Sequence, residues 1–231
     1  MSEPETHPHL HPTAPLAERV LLPGDPGRAL ALAQTLLAEP RMFNHHRGLW
    51  GYTGAAADGL PLTIQATGMG GPSAAIVLTE LIALGARRAI RVGTCGALDP
   101  ALSLGELVVA CEAISADGTS RALGADGRVP ADTALTRSLQ AAAPAAHSGA
   151  VVSVDLFYER GPAGGGHEAL AVEMEAATLF ALGRAEGVPV GCLLAVSDTF
   201  GAGGARNRIG DRDLLEAAER MGRAAIAALS A

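Results

Sequence analysis

Ala89-Ile90-Arg91-Val92-Gly93-Thr94-Cys95-Gly96-Ala97 sets one arginine inside an apolar strand that breaks into small residues. The run is short, apolar and closed by glycines, the pattern of a buried strand ending near Val92. Arg91 has apolar neighbours on both sides, so its charge does not serve solubility. An unpaired buried charge costs roughly several kcal/mol, and no acidic residue neighbours Arg91 in sequence. Thr94 and the glycines offer a hydroxyl and unobstructed backbone N–H groups, the components of an anion site. Upstream, Leu22-Pro23-Gly24-Asp25-Pro26-Gly27-Arg28 repeats the theme: a strand, a Gly/Pro turn, then an arginine. Two arginine-bearing turns at strand ends predict one oxyanion held from two sides.

Outward from these turns the chain alternates strand and helix. Strands are predicted at Arg19–Leu22, Leu62–Ala66, Ala89–Val92, Glu106–Ala110, Ala150–Val154 and Val188–Val196. Helices are predicted at Arg28–Leu37, from Pro72 to Leu84 with Gly85 as the stop, at Glu175–Glu186 and at Asp211–Leu229. The last helix gathers Leu214, Leu215, Ala218, Met221, Gly222, Ala225, Ile226 and Leu229 on one face. Cys192-Leu193-Leu194-Ala195-Val196 is apolar without alternation, as in a strand covered on both faces. The expected fold is α/β, a three-layer α/β/α single domain on a mixed central sheet. Residues 1–15, rich in proline and holding His7, His9 and His11, read as an extended N-terminal arm, and 16–231 as the catalytic domain. In such folds ligands bind beyond the carboxyl ends of strands.

The 231 residues are 48% hydrophobic but only 3% aromatic, so one large core must be built from Ala, Val, Leu and Ile. A formal net charge of −7 disfavours a nucleic-acid surface, and no apolar run is long enough to cross a membrane. Three cysteines, odd in number and set in apolar runs, argue against a disulfide framework and for a reducing cytoplasm. The arm histidines have no carboxylate or cysteine close by to complete a metal ligand set, and no metal site is expected.

Each remaining constellation has two readings. Gly24–Arg28 is either a turn capped by Asp25 or a ligand loop; it is neither a Walker loop nor a dinucleotide fingerprint. Gly68-Met69-Gly70-Gly71-Pro72-Ser73 serves a ligand or close packing. The aromatic pair Phe157-Tyr158 is core, or a stacking platform for a planar ligand. Glu173 and Glu175 flank Met174 at the mouth of a helix, where carboxylates complement the dipole or accept hydrogen bonds from two sugar hydroxyls. Ser197-Asp198 ends an apolar strand as a turn cap or a general acid.

Taken together, these motifs resemble the hexameric (small-subunit) nucleoside phosphorylase family, from about Arg19 to the final helix. Pro23-Gly24-Asp25-Pro26 with Arg28, Arg47-Gly48 leading to Gly51-Tyr52-Thr53-Gly54, Gly68-Met69-Gly70, Arg91–Gly96, Glu173-Met174-Glu175 and Ser197-Asp198 carry the resemblance by their order and spacing. It implies a phosphate site from Gly24, Arg28, Arg91, Val92, Gly93 and Thr94, with Arg47 reaching in from a neighbouring subunit. It implies a nucleoside site in which ribose lies against Met69 and Met174 with its hydroxyls on Glu175. His9 of a partner chain's arm would take the 5′-hydroxyl. The base would meet Cys95, Gly96, Phe157, Glu173, Ser197 and Asp198. The implied reaction is phosphorolysis, with inorganic phosphate as co-substrate, no cofactor, and a cytoplasmic homo-hexamer built as a trimer of dimers. Asp198 would protonate N7 of a purine, assisted by an arginine near the last helix. Arg206, Arg208 and Arg212 are the candidates, with Arg208 and Arg212 assigned. Uridine enzymes of the family carry Gln-x-Arg after the aromatic pair, whereas this chain has Glu159-Arg160-Gly161, which favours the purine branch. The alternatives are a uridine or broad-specificity phosphorylase, or a nucleoside- and phosphate-binding protein with little catalysis.

Overall fold

The computed structural model describes residues 7–158, 163–201 and 205–231. The first six residues of the expected arm, residues 159–162 (where Gln-x-Arg is missing) and residues 202–204 of the loop after Asp198 lie outside the described residues.

Strands β1 (Arg19–Leu22), β4 (Pro61–Gln65), β5 (Arg88–Ala97) and β10 (Val190–Phe200) form the parallel centre of a mixed sheet. On one side β4 continues antiparallel to β3 (Gly51–Ala55), and β3 to the edge strand β2 (Ala38–Asn44). On the other, β10 meets β6 (Leu107–Ser115), which pairs with the short β7 (Arg128–Pro130) and with β8 (His147–Ser153). β8 in turn pairs with β9 (Ala171–Glu173), and β9 returns to β5. This half of the sheet therefore closes on itself, while the β1–β4–β3–β2 half stays open.

Helices cover both faces. α1 (Pro26–Leu36), α4 (Thr133–Ala142) and α6 (Asp211–Ser230) pack on one; α2 (Gly71–Ala83), α3 (Gly118–Ala122) and α5 (Ala176–Glu186) pack on the other. The strands divide their side chains between the two by the period-2 rule: Val20 and Leu22 join the α2/α5 core, and Leu21 the α1/α6 core. Similarly, Cys192, Leu194 and Val196 face one core while Leu193 and Ala195 face the other. Leu215 departs from the expected apolar face of the last helix. It is exposed, because α6 makes its core contact further along, burying Ala217, Ala218, Met221, Ala225 and Leu229.

Strand β5 also departs from expectation. It does not stop at Val92 but runs through the glycines to Ala97, since β10 pairs along its whole length with one irregularity between Val196 and Asp198. Asp25 caps α1 through the Gly27 and Arg28 N–H groups, as one reading of that turn requires. From His7, the arm runs without regular structure along the body. Leu10 is 1% exposed, the His11 N–H donates to Asn44 Oδ1 (2.9 Å), and Thr13 N–H donates to the Phe43 carbonyl (2.8 Å).

The C-terminal helix is fastened to the β3–β4 hairpin by a buried cation. Arg19 donates to both Asp58 carboxylate oxygens (2.6 and 3.1 Å), to the Leu60 and Pro61 carbonyls and to Ser230 Oγ. The Arg19 hydrogen bond, strengthened by that of Ser230, overrides burial and holds the Asp58 carboxyl well below the usual carboxylate range. Asp58→Ala strands the Arg19 charge and is expected to cost about 1–3 kcal/mol of stability, read from the urea midpoint at neutral pH. A midpoint equal to that of the parent would show the clamp is idle.

Candidate active site

The carboxyl ends of β1, β5 and β10 open onto the N-termini of α1, α2 and α5, and most residues singled out by sequence gather there. Arg91 lies on the α2/α5 face of β5, 3% exposed. Its Nε donates to Glu173 Oε2 at 3.0 Å and its Nη2 reaches Glu175 Oε2 at 2.5 Å. Burial alone would lower the guanidinium's affinity for its proton, but Glu175 and Glu173 outweigh it and raise Arg91 above the usual arginine range. The acidic partners that Arg91 lacks in its own stretch thus arrive from more than eighty residues away. Its third nitrogen, Nη1, is buried and has no hydrogen-bond partner among the described residues. The guanidinium lies flat over Gly93, where a Cβ would sit 2.7 Å from Cζ, so a side chain there would expel it.

The two glutamates do different work. Glu173 accepts from Ser153 Oγ, from the Glu175 and Ala176 N–H groups and from Arg91. It caps α5, and both of its oxygens accept from protein donors. The demand of the helix N-terminus for an acceptor takes both oxygens. Among the described residues Glu175 accepts from Gly70 N–H (2.5 Å) and from Arg91, with the Met174 backbone also acting on its carboxyl, and acceptor capacity remains. Gly70 can present that N–H because it holds a positive φ of 85° ahead of α2. Burial, reinforced by Glu173 and opposed by Arg91, raises the Glu175 carboxyl above the ordinary carboxylate range.

Arg28, on the first turn of α1, is lowered from the usual arginine range by burial first. Asp25 and Glu175 act against that, and the neighbouring cations Arg91 and Arg208 add to it. Three arginines from α1, β5 and strand β11 (Arg206–Arg208) therefore share one electrostatic neighbourhood beside Glu175. Like charges gathered this way favour a bound anion.

Strand β11 folds back antiparallel on β10, setting Asp198 opposite Arg208 and Phe200 opposite Arg206. Asp198 is buried. Ser197 Oγ donates to its Oδ2 at 2.7 Å, while Oδ1 has no hydrogen-bond partner among the described residues. Arg206 Nε stands 4.0 Å from that Oδ1, and its guanidinium carbon lies 4.1 Å above the centre of the Phe157 ring and 5.4 Å from that of Phe200. Arg206, weighed but not assigned from sequence, is thus nearest the aspartate. Arg208 joins the cation cluster. Arg212, assigned from sequence, points away: its side chain is 89% exposed and pairs with Glu216 one turn along α6. The available signal was the strand–glycine–strand pattern across Gly201–Arg208, which predicts a hairpin returning Arg206 to Asp198.

Cys95 is buried in the core with its thiol toward the Ala195 carbonyl, and Val92 is equally buried; at both positions only backbone can meet a ligand. Burial pushes the Cys95 and Cys192 thiols up, which leaves them unreactive, and all three cysteines are free. Gly96 is buried against the Phe200 ring and Thr94 is half-buried. Gly24 lies against the Gly68 carbonyl, Met69 is 86% exposed, Met174 packs beside Val152 and Val154, and Phe157 is partly exposed. Among the described residues, no group of three or more His, Cys, Asp or Glu side chains could hold a metal.

His9 and Arg47 stand apart from this cluster. His9 is held by Glu80 on α2, nine residues past Gly71 and so about 14 Å along the helix from its N-terminus. Arg47 is exposed in a 3₁₀ turn (His46–Gly48), and His46 Nδ1 reaches the His9 carbonyl at 3.2 Å. The two residues expected to serve another subunit share one surface.

Residues 18–231 match the model of the phosphorylase superfamily, and the chain belongs to that family. Its relatives include DeoD-type purine nucleoside phosphorylases, such as that of Caldanaerobacter subterraneus subsp. tengcongensis, 37% identical over 81% of this chain and 85% of that one. The guanosine phosphorylase of Halorubrum lacusprofundi is 36% identical over 87% of each chain. The uridine phosphorylase of Thermococcus kodakarensis is 36% identical over 78% of this chain and 73% of that one.

The upward shift of Glu175 has a measurable sign. The folded state holds its proton to higher pH than the unfolded chain, so the stability it contributes is present below the usual carboxylate range and lost as pH rises through the folded value. The melting temperature of Glu175→Gln minus that of the parent is therefore expected to increase between about pH 4 and pH 8. A constant or shrinking difference would contradict the raised carboxyl.

Proposed function

We propose that the protein is a purine nucleoside phosphorylase, converting a purine nucleoside and inorganic phosphate into free base and ribose 1-phosphate. The observation that carries this reading is Arg91 joined to Glu175 at 2.5 Å, with Arg28 and Arg208 close enough to act on the same charges. As a glycosidic bond breaks, the sugar becomes oxocarbenium-like and the base gains negative charge. Glu173 and Glu175 already neutralise Arg91, but Arg28 and Arg208 still oppose a developing sugar cation unless an anion lies between them. Phosphate fits that demand as both nucleophile and counter-charge, whereas water does not. The backbone of Gly24 and Val92–Thr94 adds N–H donors to the anion, and the free acceptor capacity of Glu175 suits two ribose hydroxyls beside Met69 and Met174. Phe157 offers a ring to the base. Asp198 Oδ1, buried and unpartnered, is the group to deliver a proton to N7, and Ser197 orients the carboxyl.

His9 and Arg47, side by side and away from their own chain's arginines, support sites shared between subunits of a homo-oligomer, with the hexamer as the assembly. Three free cysteines suit a cytoplasmic enzyme.

Hypoxanthine release from inosine is expected to require phosphate and to saturate with it; release indifferent to phosphate would make the protein a hydrolase, and no release would leave it a binding protein. Asp198→Asn is expected to lower kcat by about 10²–10⁴-fold with the KM for phosphate unchanged; undiminished turnover would remove Asp198 from the mechanism. Arg47→Ala and Asp198→Asn should each be nearly inactive alone. Co-expressed, they should recover about a quarter of parental activity, because a mixed dimer pairs one intact site with one doubly damaged site. No recovery would mean that Arg47 serves its own chain.

A further inference from the structure

We infer that Arg206 selects 6-oxopurine nucleosides over 6-aminopurine nucleosides by donating to the oxygen at position 6. The inference rests on the purine phosphorolysis reading and deepens it. N7 and the substituent at C6 occupy one edge of a purine. Guanine and hypoxanthine present two acceptors there, while adenine presents an acceptor at N7 and an amino donor at N6.

The groups around Asp198 are arranged for the first pattern. Asp198 Oδ2 already accepts from Ser197, and Oδ1 is the atom left for N7. After giving its proton to N7 the carboxylate still has lone pairs open to a neighbouring amino group, so Asp198 alone does not separate the two purine classes. The cation that reaches Oδ1 is the Arg206 guanidinium, 4.0 Å away through Nε. Arginine carries five N–H donors and no acceptor. Arg206 also packs on aromatic rings: its guanidinium carbon lies 4.1 Å from the centre of the Phe157 ring and 5.4 Å from that of Phe200, its cross-strand partner in the β10–β11 pairing. A 6-oxo group meets a preset charged donor at this edge, which also stabilises negative charge building on the leaving base. A 6-amino group meets a donor with a donor, and the mismatch is the kind that a rigid polar site rejects strongly.

The test compares kcat/KM for phosphorolysis of inosine, adenosine and purine riboside (no 6-substituent) in the parent and in Arg206→Gln and Arg206→Met. The parent is expected to favour inosine over adenosine, and both variants to reduce that ratio at least tenfold. The inosine advantage over purine riboside should shrink in parallel. Comparing ratios between proteins cancels the intrinsic reactivity of the three bases, and a folding defect lowers all three substrates equally. An equal fall for all three substrates would overturn the assignment and leave Arg206 acting only through Asp198 or the fold. A parent that favours adenosine would overturn it too. Either result leaves purine phosphorolysis standing; that reading fails only if phosphate-dependent base release is absent from all purine substrates.

Discussion

A guanidinium sealed between two carboxylates organises this molecule. Arg91 enters the sheet where water cannot solvate it, and its charge is tolerable only because Glu173 and Glu175 arrive on the N-terminus of α5. Those bonds tie β5 to β9 and α5. Glu175 then reaches the backbone of Gly70 and so fixes the start of α2. One buried cation thus sets the relative positions of three segments that surround the site. It is shared by two carboxylates, and burial, with Glu173 adding to it, raises Glu175. A carboxylate held at such cost is common at sites that later exchange hydrogen bonds with a ligand.

The sheet supplies the stage for this arrangement. Parallel strands β1, β5 and β10 deliver their carboxyl ends to one rim, where Arg28 follows β1 on α1 and Thr94 and Asp198 lie in the last residues of β5 and β10. The antiparallel return of β11 then brings Arg206 and Arg208 to the same rim. Two cavities of about 820 and 720 Å³ flank this hairpin, one bounded by Arg208 and the start of α6, the other by Thr199 and Phe200. Neither encloses the arginine cluster. The surface that carries His9, His46 and Arg47 lies elsewhere on the same chain.

Much of this was legible along the chain because it is local. Asp25 before Pro26 is a helix cap by residue type, Pro72 marks a helix start, and the apolar runs of β1, β5 and β10 announce buried strands. The missed elements lacked such signals. β2 exposes most of its side chains and β3 is glycine-rich, so neither alternates cleanly. α4 is the exception: behind its Asp132 cap it is amphipathic, burying Leu135, Thr136 and Leu139, so its signal was present in the sequence and overlooked. Glycines ordinarily end strands, so β5 was cut short; here β10 pairs through them. The site shows the same division. Arg28, Glu175 and Asp198 could be named from their positions at element ends. Glu173 could not be told from Glu175, because both flank the same methionine and only the helix geometry decides which one caps.

The order of turns, strands and helices, the need of Arg91 for a neutralising partner and the candidate chemistry at strand ends were determined by sequence alone, since each depends on residue type and short spacing. Which acid meets Arg91, which arginine covers Asp198 and which cysteine faces the core were decided by tertiary structure. These outcomes depend on register between strands far apart in the chain, and a shift of one residue reverses the face on which a side chain emerges.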